Sequence, residues 1–253
     1  MKSKLSLIQA FNNAAEQFSD VTAILENDKK HTFSELKVAS DKLAVGLIEK
    51  GVIKGDRIAL YCINSAQFTI AYMGIVKAGA VVVPINLLQK PSEIAYVMEN
   101  SEVSGLIYHD AFEANVEATI SQLQSPLFTL CISTEREKST DWDKAFNNNG
   151  VPPELDIDVD NDLVAILYTS GTTGHPKGAM LTHLNLVTNT ASVFVAMNWV
   201  AKKDVIALVL PMFHAFAATV GMLTPLTHGC CFVPIPKFEP DNLLNIIEKT
   251  KST

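Results

Sequence analysis

Short apolar runs alternate with amphipathic helical segments along this chain, and that alternation limits its fold more than any other feature. Apolar runs lie at 57–62, 80–85 and 163–168, and residues 66–77 between the first two have apolar positions at helical spacing. The run 81–83 is apolar on both faces, which is typical of a parallel strand covered by helices on both sides. The sequence therefore predicts an α/β fold with doubly wound, mostly parallel sheets flanked by helices.

One segment has a different texture. Residues 133–160 contain three consecutive asparagines at 147–149, a Pro152-Pro153 pair and several acidic residues. Such a polar, proline-containing stretch favours a loop or a boundary. We predict a first α/β subdomain over 1–160 and the start of a second over 161–253, a division that the length of 253 residues permits.

The charge pattern argues against a nucleic-acid partner. The net charge is -7, and only Arg57 and Arg136 among the 20 basic residues are arginines. Nucleic-acid interfaces need clustered positive charge, and arginine in particular supplies the bidentate contacts. A small anionic ligand remains possible because it needs only one local site.

The sequence gives no sign of export, of a membrane span or of a metal site. The N-terminal segment lacks a cleavage-like site, and no stretch of 18 uncharged apolar residues occurs. Cysteines at 62, 131, 230 and 231 show no C-x-x-C spacing. We predict a cytoplasmic protein with no transmembrane segment, with reduced cysteines in its core and no metal ligands.

The most informative segment follows the apolar run 163–168 directly. Thr169–Gly178 is rich in hydroxyl groups and glycine, so its backbone N–H groups could turn toward an anion. Lys177 adds a mobile positive charge, and the combination suits a polyphosphate. An exposed Ser/Thr/Gly turn is the alternative. The Walker pattern is missing, which disfavours a P-loop NTPase, and the G-x-G-x-x-G pattern is missing, which disfavours a dinucleotide site.

The run from Tyr168 to Gly178 resembles the phosphate-loop signature of adenylate-forming enzymes, which include acyl-CoA synthetases, luciferases and peptide-synthetase adenylation domains. Three weaker stretches, 32–36, 77–86 and 210–214, follow the order of that family. The resemblance implies the first part of the large N-terminal domain of these enzymes. It also implies ATP-dependent conversion of a carboxylic acid into an acyl-adenylate, followed by thioester formation with CoA.

The same resemblance implies roles for individual residues. Lys177 and His214 would be catalytic, and the sequence pair Phe213-His214 is most similar to long- or medium-chain fatty-acid–CoA ligases. Alternatively, His214 is a structural hydrogen-bonding residue. The residues implied to bind the ATP phosphates are Thr169, Ser170, Gly171, Thr172, Thr173, Gly174 and Lys177.

The family's later motifs do not occur in these 253 residues. They include the segments implied to hold Mg²⁺ and the ribose, and the C-terminal domain with its lysine. ATP, Mg²⁺ and CoA are therefore expected to serve the full-length enzyme, while this chain alone is expected to be inactive and to hold none of them tightly. The surface that would contact the rest of the full-length enzyme is expected to be exposed in this chain, which predicts self-association. A non-catalytic module that binds a nucleotide, a phosphate or a partner chain is the alternative.

Other candidate residues are expected to be structural. His109 and His183 lie near element boundaries, which suits hydrogen-bonding roles. The group formed by Phe194, Met197 and Trp199 is predicted to pack in the core.

Overall fold

The structure is a computed structural model that describes residues 4–133, 141–169 and 176–253. The strands are β1 (Thr22–Glu26), β2 (Lys29–Thr32), β3 (Arg57–Tyr61), β4 (Val81–Pro84), β5 (Val103–His109), β6 (Phe128–Ile132), β7 (Leu163–Thr169), β8 (Lys177–Thr182), β9 (Val205–Leu208) and β10 (Cys231–Pro234). The helices are α1 (Leu7–Gln17), α2 (Phe33–Glu49), α3 (Ala66–Lys77), α4 (Pro91–Asn100), α5 (Glu113–Ile120), α6 (Asp141–Lys144), α7 (His183–Ala196), α8 (Thr224–His228) and α9 (Pro240–Thr250). A 3₁₀ turn (Asp110–Phe112) precedes α5, and a π-helix (Ala217–Leu223) precedes α8.

The described strands form two sheets. One has the order β6-β5-β3-β4-β7-β8 and the other the order β2-β1-β10-β9. Pairing is parallel except at the hairpins β1–β2 and β7–β8. The predicted α/β fold with mostly parallel, helix-flanked sheets is confirmed.

The sheets do not follow the predicted division at residue 160. Strands β7 and β8 extend the sheet of β3–β6 through pairing of Val82 with Ala165. Strand β1 pairs with β10 from the other end of the chain. Each sheet therefore contains strands from before and from after residue 160. The division into subdomains 1–160 and 161–253 stays a prediction.

Several helices begin at capping boxes, in which an N-cap side chain and the residue three positions later exchange hydrogen bonds with each other's backbone N–H groups. A capping box from Thr32 to Glu35 starts α2. Equivalent boxes start α1 at Ser6 and α7 at Thr182. Local sequence thus fixes where these helices begin.

The packing of α2 on α3 includes a buried ion pair. Lys77 is 2% exposed, and its Nζ lies 2.6 Å from Asp41 Oδ1 and 4.8 Å from the ring centroid of Phe11. Burial lowers the pKa of Lys77 to about 8, and Asp41 opposes that shift. Lys77, which belongs to the family-like stretch 77–86, is therefore an interior group that is paired across the contact of α3 with α2.

All four cysteines are free thiols. Cys62 and Cys230 are buried, and burial raises the pKa of each thiol to about 12. Cys131 and Cys231 are half-buried, so the prediction of core positions is wrong for these two. Among the helices of the described ranges, none is long and apolar enough to cross a membrane.

Candidate functional site

A cavity of about 410 Å³ lies where the two sheets approach each other. Pro84 and Asn86 line it from the carboxyl end of β4, and Phe213 and His214 line it from the segment that follows β9. Ligands of doubly wound proteins bind at the carboxyl ends of parallel strands, so the cavity has the expected location for a site.

The ends of the glycine-rich loop reach this cavity. Thr169 is the last residue of β7, Lys177 is the first residue of β8, and the two are paired across the hairpin. Thr169 and Pro176 line the cavity, whereas Lys177 is exposed outside its lining. The predicted phosphate-binding residues Ser170, Gly171, Thr172, Thr173 and Gly174 lie outside the described residues.

Helix α4 contacts both ends of the loop. The Tyr168 hydroxyl donates a hydrogen bond to Asn100 Oδ1 at 2.6 Å, and the Tyr96 hydroxyl donates one to the Pro176 carbonyl at 3.4 Å. Partial burial raises the pKa of Tyr168, which favours the protonated, donating phenol. One helix therefore fixes the positions at which the loop begins and ends.

Gly178 permits a close approach of β8 to β7. A Cβ at this position would lie 2.7 Å from Ile166 Cγ2 and 3.1 Å from the Tyr168 ring. A side chain would therefore push β8 away from β7 and disturb the contact of Tyr168 with α4.

His214 lies in a turn after β9. Its backbone N–H donates to the Pro211 carbonyl at 2.9 Å, and its Nδ1 accepts from the Phe216 N–H at 3.4 Å. The side chain is exposed and lines the same cavity as Thr169. The fold thus brings His214 and the start of the loop together although they follow strands of different sheets.

The two histidines predicted to be structural, His183 and His109, both make hydrogen bonds to backbone N–H groups. His183 is buried, its Nδ1 accepts from the Leu7 N–H at 3.1 Å, and burial lowers its pKa to about 4. His109 Nδ1 accepts from the Ala111 N–H at 3.2 Å. The prediction of core packing is wrong for Met197, which is 52% exposed because it caps the C-terminal end of α7.

Several residues of this site were not predicted from the sequence. Asn86 could have been predicted, because it directly follows the apolar run 80–85. In the structure, its Oδ1 accepts a hydrogen bond from the Leu88 N–H at 2.9 Å. Tyr96 and Asn100 had no such signal, because their contacts join elements that are far apart in the sequence. Within the described ranges, no three His, Cys, Asp or Glu side chains converge on a possible metal position.

Comparison with known proteins assigns the class. The sequence model of the AMP-binding enzyme family matches residues 11–253. This chain therefore belongs to the AMP-binding enzyme family.

Several proteins similar to this chain are named as CoA ligases. A long-chain-fatty-acid–CoA ligase of Bacillus subtilis is 31% identical over 98% of this chain and 49% of its own length. A 4-coumarate–CoA ligase 2 of Solanum tuberosum is 30% identical over 96% of this chain and 45% of its own length. The crystal structure of a long-chain-fatty-acid-CoA ligase (FadD1) from Archaeoglobus fulgidus has a TM-score of 0.89 and 29% identity, covering 99% of this chain and 51% of that protein. The chain thus spans about half the length of these relatives and resembles their N-terminal portion.

Proposed function

We propose that this chain is the N-terminal portion of an ATP-dependent carboxylate–CoA ligase that acts on a fatty acid. The observation that carries the proposal is the shared cavity, which Thr169 and Pro176 line from the ends of the loop and His214 lines from the opposite sheet. Relatives named as long-chain-fatty-acid–CoA ligases support the same chemistry.

The first step joins two anions. A carboxylate oxygen attacks the α-phosphorus of ATP, the bond to pyrophosphate breaks, and an acyl-adenylate forms. Donors and cations that disperse charge on the departing phosphates lower the barrier to this step. We assign this role to the backbone and hydroxyl groups of residues 169–174 and to the ammonium group of Lys177.

In the second step the CoA thiol attacks the acyl carbonyl and AMP departs, so no covalent protein nucleophile is needed. His214 would orient the carboxylic acid at the cavity. Because its Nδ1 accepts the Phe216 N–H, a neutral ring carries its proton on Nε2, which then serves as the donor to a ligand.

The choice of a fatty acid rests on the sequence pair Phe213-His214, because relatives include a 4-coumarate–CoA ligase as well. Mg²⁺ would serve the full-length enzyme, but the described residues offer no cluster of ligands for it. We also propose that the full-length enzyme uses CoA and that it lies in the cytoplasm.

We further propose that these 253 residues do not turn over alone and bind ATP only weakly. They span about half the length of the relatives, so we expect a complete active site to need the other half of such an enzyme as well. Apolar side chains exposed on β8 and on α7 would favour self-association.

The test is carboxylate-dependent ATP–pyrophosphate exchange with a panel of fatty acids, combined with equilibrium dialysis of ATP. We expect no exchange, and weak saturable ATP binding that Lys177→Ala reduces by about 3- to 10-fold, the effect of losing one partly screened charge contact. Lys203→Ala, which removes an exposed lysine elsewhere, should bind ATP like the wild type.

Other outcomes have defined meanings. Exchange that depends on both a fatty acid and Lys177 would show that half of the protein suffices for adenylation. Equal ATP binding in the two lysine variants would contradict the phosphate site. ATP hydrolysis without a carboxylic acid would instead indicate an NTPase.

A further inference from the structure

A buried amide bridges the two sheets next to the cavity. Asn64 follows β3 and is 5% exposed. Its Nδ2 donates to the carbonyls of Leu208, Leu210 and Ile235 at 3.3, 2.9 and 3.0 Å. Its Oδ1 accepts from the Met212 N–H at 2.7 Å. A side chain from the loop that follows β3 of the six-stranded sheet thus bonds backbone groups at the ends of β9 and β10 in the other sheet.

These contacts hold the segment that leads to His214. Met212 is fully buried, so its N–H would lack a partner without the Asn64 amide, and an unpaired buried donor is costly. Two residues later, the backbone turn closed by the His214 N–H and the Pro211 carbonyl directs His214 to the cavity. The position of the His214 turn relative to β3 therefore depends on Asn64.

We infer that Asn64 is a positioning residue that, across the junction between the sheets, holds His214 at the cavity it lines together with the loop ends. The relevance of this inference to catalysis rests on the proposed function. Its structural part does not, because Asn64 contacts only backbone groups of this chain.

The test compares Asn64→Ala with Asn148→Ala. Asn148 is a matched control because its amide also bridges backbone groups, donating to the Lys42 and Ala145 carbonyls and accepting from the Gly150 N–H, at a place that does not line the cavity. Both variants should lower the melting temperature. Only Asn64→Ala should accelerate amide exchange of Met212, by about tenfold or more, and shift the imidazole signal of His214 in NMR spectra.

Asn64→Asp supplies a second readout if the alanine variant does not fold. A carboxylate keeps an acceptor for Met212 but repels the three carbonyls, whereas the protonated acid donates to one of them. The His214 signal of this variant should therefore return toward that of the wild type as the pH is lowered, and the wild type measured over the same pH range is the reference.

A wild-type His214 signal in Asn64→Ala, despite lost Met212 protection, would overturn the inference and leave Asn64 with a role in stability alone. Neither readout uses a ligand, so a failed ATP test would not change it. A third readout tests the catalytic relevance: adding dodecanoate with ATP should shift the His214 signal in the wild type and Asn148→Ala and leave it unchanged in Asn64→Ala. An equal ligand-induced shift in Asn64→Ala would contradict a role in positioning His214 for substrate.

Discussion

At the residue scale, His183 shows how a buried imidazole can connect two helices. It is the first residue of α7, and its Nδ1 accepts the N–H of Leu7, the first residue of α1. The first N–H groups of a helix have no partner within the helix, so this bond satisfies a donor that would otherwise be buried and unpaired. Only the neutral ring can accept it, which agrees with the lowered pKa.

This contact predicts an acid-dependent loss of stability. The folded pKa of His183 is about 4, below its ordinary 6.5, so the contribution is fully present above pH 6.5 and is lost as the pH falls toward 4. The difference corresponds to at most about 3 kcal/mol. Urea unfolding at several pH values between 4 and 8 should show this decline, and His183→Gln should be less stable at pH 8 but show a shallower decline. An unchanged slope in the variant would assign the acid dependence to other groups.

At the scale of secondary-structure elements, α4 supports both ends of the loop. It holds Tyr168 before the loop and Pro176 after it, and the hairpin β7–β8 joins the same two ends by strand pairing. The loop therefore leaves from and returns to a fixed base. Such preorganisation lowers the entropy that a bound phosphate would have to offset.

Removing one hydroxyl from this base tests its role. Tyr168→Phe deletes the bond to Asn100 and should cost about 1 kcal/mol of stability. It should also weaken ATP binding by several-fold and accelerate amide exchange at Gly178. Tyr61→Phe is the matched control, since it deletes the bond from Asn115 Nδ2 to the Tyr61 hydroxyl at 3.2 Å, outside the cavity lining. Equal ATP binding by both variants would show that the base does not influence the loop.

The same scale shows what the sequence could predict. Helix α3 and strands β3 and β4 follow the predicted segments 66–77, 57–62 and 80–85 closely, because apolar periodicity marks them locally. Strand β2 was missed because its sequence is polar. It forms through pairing with β1 across Asn27 and Asp28, whose positive φ angles of 46° and 67° suit a tight hairpin turn.

Strand β8 and the base of the loop were missed for a related reason. Lys177–Thr182 is a largely exposed edge strand whose pairing with β7 is not visible in its own pattern. The sequence indicated the loop and His214 through their motifs. It could not indicate Tyr96, Asn100 or Asn64, because each contacts an element distant along the chain.

At the scale of the whole molecule, several large apolar side chains remain exposed. Met180 on β8 is 66% exposed, Val195 on α7 is 73% exposed, and Phe216 before the π-helix is 58% exposed. Exposed apolar groups favour association when they meet a complementary surface.

We expect a concentration-dependent mass for this chain. Sedimentation velocity between 1 and 100 µM, roughly the range in which weak contacts form dimers, should show an increase in mass. Replacing Met180 and Val195 together by Glu should reduce the increase. Val38→Glu is the control, because Val38 is 54% exposed on α2. A wild type that stays monomeric throughout this range would contradict the proposal.

The order of strands in the smaller sheet has a consequence for synthesis on the ribosome. Ile24 of β1 pairs with Phe232 of β10, so all of the intervening residues must be made before that sheet can close. Closing so large a loop is slow, and an isolated hairpin is at best marginally stable in water. During translation, we therefore expect the edge of β1 that later pairs with β10 to remain unpaired while the larger sheet forms. This interval is when the nascent chain is most open to chaperones and to aggregation.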